Sequence, residues 1–88
     1  MSIYQDTALG ESTFERTFSR DVDTGELIFH KDKKDREILK CDNEGEWMLQ
    51  MDNEIPKVIQ KGVFIPKDVY HRLIKGSGDL RVLIKEYD

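Results

Sequence analysis

The 88-residue sequence contains one cysteine, Cys41. A single thiol cannot form a disulfide within the chain, and it cannot supply a cysteine-rich zinc site. The absence of disulfides is typical of proteins in reducing compartments, so we expect a cytoplasmic location. No pattern that would activate a thiol surrounds Cys41, and we expect this residue to lie half-buried on a strand.

Long apolar runs are also absent. None approaches the roughly 20 residues needed to cross a bilayer, and the first residues lack the basic start and apolar stretch of a signal peptide. We therefore expect no membrane partner. The net charge of −4 argues against nucleic acid as the main partner.

Charge is unevenly distributed along the chain. Residues 42–56 contain acidic side chains and no lysine or arginine, whereas residues 57–75 carry five basic residues against one acidic residue. This pattern is typical of solvated faces, although an interface or an anion site would use it equally. A domain of this size buries only about 60% of its unfolded surface, so we also expect a homodimer.

Short strand patterns separated by turn signals make up most of the sequence, and no helical period persists over three turns. The predicted strands are residues 13–20, 26–30, 37–42, 46–52, 58–59, 63–65, 70–74 and 80–87. The sequence therefore predicts an all-β domain over residues 12–88, closed or nearly closed because closure removes exposed edges. Residues 1–11 are predicted to form an irregular N-terminal arm.

Residues 62–72 read Gly-Val-Phe-Ile-Pro-Lys-Asp-Val-Tyr-His-Arg, so a glycine turn leads into an Ile-Pro strand end and a histidine follows. This stretch resembles the second cupin motif. The Gly78-Asp79 turn and the apolar run after it resemble the cupin ending, and residues 26–47 resemble the first cupin motif in outline. The resemblance covers about residues 26–86. It implies a small cupin-like β-barrel (a double-stranded β-helix, or jelly roll) of about seven or eight strands.

His30 and Asp32 lie two residues apart on a predicted strand, so their side chains share a face. His71, on a later strand, would reach the same interior of a barrel, and the two histidines fall where cupins place metal ligands. Two histidines and one carboxylate form the triad that holds non-haem iron, and a similar set holds manganese, nickel or zinc. We therefore predict a divalent metal site at His30, Asp32 and His71, and no organic cofactor.

The first motif departs from the cupin pattern, which has a second histidine followed by a glutamate. Here Asp32 replaces that histidine, and Arg36 and Glu37 occupy the region of the glutamate. Strand alternation allows only one of these two to face inward. Glu37 would complete a four-ligand metal set, whereas Arg36 would suit a bound carboxylate, phosphate or sugar acid. Arg36, Gln50 and Arg72 are the predicted ligand-binding residues.

Two functions are compatible with these patterns. The first is a cupin-like domain that binds a small polar or acidic ligand through a metal. As an enzyme it would be a metal-dependent oxygenase or isomerase. The second is a non-catalytic structural or protein-interaction domain that has kept the fold and lost the metal site. The altered first motif and the short chain favour this alternative.

Overall fold

Eight β-strands and one turn of 3-10 helix form the structure of residues 3–88, which is a computed structural model. The strands are β1 (Gln5–Gly10), β2 (Thr13–Phe18), β3 (Asp35–Asn43), β4 (Met48–Met51), β5 (Lys57–Val58), β6 (Phe64–Ile65), β7 (His71–Ile74) and β8 (Leu80–Tyr87). The all-β class predicted from the sequence is confirmed. None of the described residues belongs to a helix long and apolar enough to cross a membrane.

The strands form two antiparallel sheets. The larger sheet has the order β1-β2-β8-β3-β6, and the smaller has the order β5-β4-β7. Over residues 3–88 the sheets are not closed into a barrel, so the predicted closure is not confirmed. The core lies between the sheets because both contribute their inward-facing residues to one cluster. In β8, for example, Leu80, Val82 and Ile84 are buried, as a strand with one face on the core requires.

Two predictions about local structure are wrong. Residues 26–30 do not form a strand. Instead, the Asp23 side chain accepts a hydrogen bond from the backbone of Gly25 and caps a 3-10 turn at Thr24–Glu26. The chain then continues without ladder pairing until His30, which forms a single bridge with His71.

The predicted irregular arm is the second error. Gln5–Gly10 forms β1 and pairs with β2 from Gln5 opposite Thr17 to Gly10 opposite Thr13, while residues 1 and 2 lie outside the described chain. Every residue of β1 is exposed. Such a strand has no buried face, so the alternation that reveals a strand in the sequence is missing.

The turn before β8 packs against the centre of the core. Trp47 is fully buried, and its Nε1 donates a hydrogen bond of 2.7 Å to the carbonyl oxygen of Gly78. A Cβ atom at Gly76 would overlap the backbone carbonyl of Gly45 and the ring of Trp47. Only glycine therefore allows these two segments to approach so closely.

We expect Gly76→Ala to lower the free energy of unfolding by about 1–3 kcal/mol, because the added methyl forces the turn away from Trp47. Urea denaturation followed by tryptophan fluorescence measures this loss. Gly10→Ala is the matched control, since a Cβ at Gly10 meets no atom within 4 Å. Equal stability of the two variants would contradict the close packing of this turn.

Candidate metal and ligand site

A cavity of about 310 Å³ lies between the two sheets. Its volume is close to the lower end of the range for small-molecule sites, about 300–1,000 Å³. Most of its walls are aliphatic or aromatic side chains from both sheets. The charged and imidazole side chains that line it are Arg16, Glu26, His30, Asp32, Arg36 and His71. An apolar pocket with a few polar groups is the usual form of a small-molecule site.

Two backbone hydrogen bonds bring the two histidines together. The backbone N–H of His30 donates to the carbonyl of His71 at 2.9 Å, and the N–H of His71 donates to the carbonyl of His30 at 2.8 Å. The ring centroids are 4.5 Å apart. The His71 residue is only 3% exposed, whereas His30 is exposed. The structure therefore brings together the two histidines that the sequence predicted to meet.

Both imidazole rings are held in the same tautomer. Nδ1 of His30 lies 3.0 Å from the carbonyl oxygen of Ile28, and Nδ1 of His71 lies 2.9 Å from that of Val69. A carbonyl oxygen only accepts hydrogen bonds, so Nδ1 carries the proton in each ring. When the rings are neutral, each Nε2 has a free lone pair. Protein metal sites commonly fix their histidine ligands in this way.

Asp32 completes the cluster. Its Oδ1 lies 3.9 Å from Nε2 of His30, and its Oδ2 lies 3.3 Å from Nε2 of His71. The potential ligand atoms of the three residues all lie within 4.8 Å of one another. Oδ2 is buried and accepts no well-formed hydrogen bond. Two lone pairs and a carboxylate at these distances repel unless a proton or a cation lies among them.

Arg36, and not Glu37, faces the interior. Arg36 lines the cavity together with Ile38, two residues further along β3. Its Nη1 lies 3.4 Å from Oδ2 of Asp32, while its Nε and Nη2 each lie 2.9 Å from Oε2 of Glu86. Glu37 instead accepts a 2.6 Å hydrogen bond from the hydroxyl of Tyr87. A four-ligand set that includes Glu37 is therefore excluded in this arrangement.

The surroundings keep Asp32 ionised. Burial raises the pKa of this carboxyl, but the adjacent His71 ring and the Arg36 guanidinium lower it by more, so the net pKa falls below its usual range. The cluster therefore holds a carboxylate at neutral pH. When both rings are neutral, this carboxylate and the two Nε2 lone pairs are a suitable donor set for a divalent ion.

Two of the distances are close to those of a metal site. Bonds of about 2.1 Å place neighbouring ligand atoms about 3.4 Å apart in a tetrahedral site, near the 3.3 Å and 3.9 Å separations involving Asp32. The cluster spans up to 4.8 Å, so the side chains would move closer together to hold an ion. The positive charge of Arg36 opposes a cation, but its ion pair with Glu86 offsets much of that charge. The donor types present therefore suit a divalent metal.

Gln50 and Arg72 do not line this cavity, so their predicted place in the pocket is corrected. In β7, His71 and Leu73 face the cavity, and Arg72 between them faces the opposite side of the sheet. Nε of Arg72 donates to Oε1 of Gln50 at 2.8 Å, and its guanidinium lies 4.8 Å from the centre of the Phe29 ring. This pair belongs to the outer surface.

Arg16 is a cavity residue that the sequence analysis missed. It lies on β2 between Phe14 and Phe18, and strand alternation places these three side chains on the same face. Its Nε and Nη2 donate to the two carboxylate oxygens of Asp6 at 2.8 and 2.9 Å. Strand alternation was the signal that could have found it.

Cys41 lies outside the cavity lining and is half-buried on β3, as predicted. Its Sγ donates a weak hydrogen bond of 3.5 Å to the carbonyl oxygen of Ile59. Burial, and secondarily the negative charge of Asp42, raises the pKa of the thiol. The thiol is therefore less ionised than a free cysteine, the opposite of what a nucleophile needs.

The fold and the cluster define a two-sheet antiparallel β domain with a His-Asp-His group at an internal cavity. No protein-family model matches the chain, and no curated protein matches it. Among solved structures, the crystal structure of protein NMB1881 from Neisseria meningitidis is similar, with a TM-score of 0.63, 19% sequence identity, and coverage of 99% of this chain and 88% of that one. At this identity the likeness shows a shared fold.

We expect the thiol of Cys41 to react several-fold more slowly with a disulfide reagent such as DTNB in the folded protein than in urea. At pH 8 the raised pKa leaves less thiolate, which is the reacting form. Absorbance of the released thiolate measures both rates. Equal rates before and after unfolding would contradict the burial of this residue.

Proposed function

We propose that this chain is a cupin-like domain that binds a small polar or acidic ligand in the cavity between its sheets, with a divalent metal held by His30, Asp32 and His71. The carrying observation is the convergence of the two Nε2 atoms and the Asp32 carboxylate within 4.8 Å at the cavity wall. The Arg36 guanidinium offsets part of the negative charge of Asp32, and a metal ion would in addition engage both Nε2 atoms.

The relation to cupins is supported by the segment that first suggested it. Gly62 has a φ of +91°, so the glycine of the motif occupies a turn that other residues adopt only with strain. Phe64–Ile65 forms β6 before the proline, and His71 begins β7 with its side chain on the cavity. Each part of the motif thus has a structural role that agrees with the resemblance.

The protein's own residues would organise such a site before any ligand arrives. The carbonyls of Ile28 and Val69 fix the two rings, and Arg36 holds Asp32 in place. A bound metal would act as a Lewis acid that polarises an oxygen of the ligand. The aliphatic walls exclude water from the remainder of the ligand. In a catalytic version, this arrangement suits an oxygenase or isomerase reaction on a small substrate.

One observation favours a second candidate, a metal-free pocket for an organic anion. Arg36 already places a positive charge 3.4 Å from Asp32, so the carboxylate has a cationic neighbour without a metal. In that case the two histidines would line an anion site. A domain with a purely structural role is the third candidate. Measurements of bound metal distinguish it from the first candidate, the metal-binding domain.

We expect the protein, purified without chelators and then incubated with Fe²⁺, Mn²⁺, Ni²⁺ or Zn²⁺, to retain about one ion per chain of at least one metal. Elemental analysis after gel filtration measures the ratio. Bound metal should also raise the melting temperature, since an ion at 100 times its dissociation constant stabilises the fold by about 2.7 kcal/mol.

Two variants test the ligands. His30→Ala removes an exposed ring and keeps the backbone bridge to His71, and Asp32→Asn removes the carboxylate charge. We expect either change to weaken metal binding at least about tenfold. Asp52→Asn, at an exposed turn position, is the matched control and should bind as the parent does. Absence of bound metal in the parent, or equal metal content in all variants, would refute the metal site.

A further inference from the structure

Arg16 differs from Arg36, the other arginine of the cavity wall, in how its hydrogen-bond donors are used. A guanidinium has five N–H groups, which form a side edge (Nε and Nη2) and an end edge (Nη1 and Nη2). In Arg16 the side edge is fully used by the two oxygens of Asp6. Its Nη1 makes no hydrogen bond within residues 3–88, so the end edge remains open.

The end edge of Arg36 also lacks a well-formed hydrogen bond, but it faces a carboxylate of the protein. Its Nε and Nη2 contact Glu86, and its Nη1 lies 3.4 Å from Asp32. The residue that the sequence suggested for anion binding is therefore already neutralised by two carboxylates of the protein. Arg16 is paired with one carboxylate and keeps donors for a second.

The open edge of Arg16 faces accessible space. The side chain is only 13% exposed, yet the residue lines the cavity. Within residues 3–88, Oδ2 of Asp32 is the only fully buried polar side-chain atom without a hydrogen bond. Nη1 of Arg16 also lacks a hydrogen bond, so this atom is not fully buried. Donors that are partly desolvated and unpaired favour an incoming acceptor.

Aromatic neighbours fix the position of this guanidinium. Its Cζ lies 3.6 Å from the centre of the Tyr4 ring and 5.1 Å from that of Phe14, while Cζ of Arg36 lies 5.6 Å from the same Phe14 ring. Both guanidinium groups therefore lie beside the same phenylalanine ring, and Arg16 is close enough to Asp32 to interact with its charge. Stacking on Tyr4 and the two bonds to Asp6 restrict the plane in which a bound group could lie.

We propose that Arg16 is the specificity-determining residue of the cavity, and that it binds the carboxylate of a small organic acid with an apolar body. A carboxylate matches the end edge of a guanidinium through two parallel hydrogen bonds. The aliphatic walls and the volume of about 310 Å³ suit a short alkyl chain or a single ring. This inference rests on the proposed ligand-binding function and adds its substrate class.

Pairs of an acid and its neutral amide test this inference. We expect benzoate or hexanoate to raise the melting temperature of the metal-treated protein more than benzamide or hexanamide at equal concentration. Calorimetric titration with the stronger acid should show binding at least about tenfold weaker in Arg16→Gln. Arg81→Gln, at an exposed arginine of β8 that pairs with Glu15, should bind as the parent does.

A change at Asp6 separates ligand binding from a structural role of Arg16. Asp6→Asn removes the competing negative charge and leaves the guanidinium in the cavity, so we expect tighter acid binding. If Arg16 served only to hold β1 against β2, Asp6→Asn would lower stability without strengthening acid binding. No preference for acid over amide in the parent, or equal preference in Arg16→Gln, would overturn the proposal.

Metal content measured on the same samples keeps the two proposals apart. Arg16→Gln should retain the metal of the parent and lose the preference for acids. Loss of metal binding in the parent together with a preserved preference for acids would refute the metal site alone. Bound metal without any preference for acids would refute the role of Arg16 alone.

Discussion

The two reciprocal backbone hydrogen bonds between His30 and His71 determine the rest of the site. Together with the hydrogen bond from the backbone N–H of Asp68 to the carbonyl of Asp32, they attach a segment that belongs to no strand ladder to β7 and the residues before it, at the edge of the smaller sheet. Because the residues are directly opposite, their side chains emerge side by side and the rings lie 4.5 Å apart. Asp32, two residues later, comes within contact distance of both rings. Without this bridge, nothing in the ladder pairing of the sheets would hold the first histidine beside the second.

The charge of Asp32 is the second constraint. A buried carboxylate is costly unless cations or hydrogen bonds compensate it. Arg36 supplies one positive charge, and Glu86 holds Arg36 from the other side. The two linked ion pairs, Asp32 with Arg36 and Arg36 with Glu86, therefore extend from the cavity to the end of β8. They allow the ionised Asp32 carboxylate to exist in a mostly apolar space, and they also reduce the capacity of Arg36 to bind an external anion. Arg16 is paired with only one carboxylate of the protein, that of Asp6, so its capacity to bind an external anion is less reduced.

The strands of the core were predictable because their alternation reflects burial on one face. The predicted strands at residues 13–20 and 80–87 correspond to β2 and β8, whose inward residues form the core. β1 was not predictable in this way because all its residues are exposed. The segment at residues 26–30 had a strand-like composition, but local capping by Asp23 favoured a 3-10 turn.

The sequence by itself determined the all-β class, the residue types of the candidate site and, within each strand, which residues share a face. Only the tertiary structure decided which faces meet. It placed Arg36 rather than Glu37 inside, turned Arg72 and Gln50 outward, and brought Arg16 into the cavity. Alternation fixes which residues share a face, but sheet pairing fixes whether that face points toward the core or toward solvent. Pairing depends on contacts between residues far apart in the chain, and these are not encoded in any local pattern.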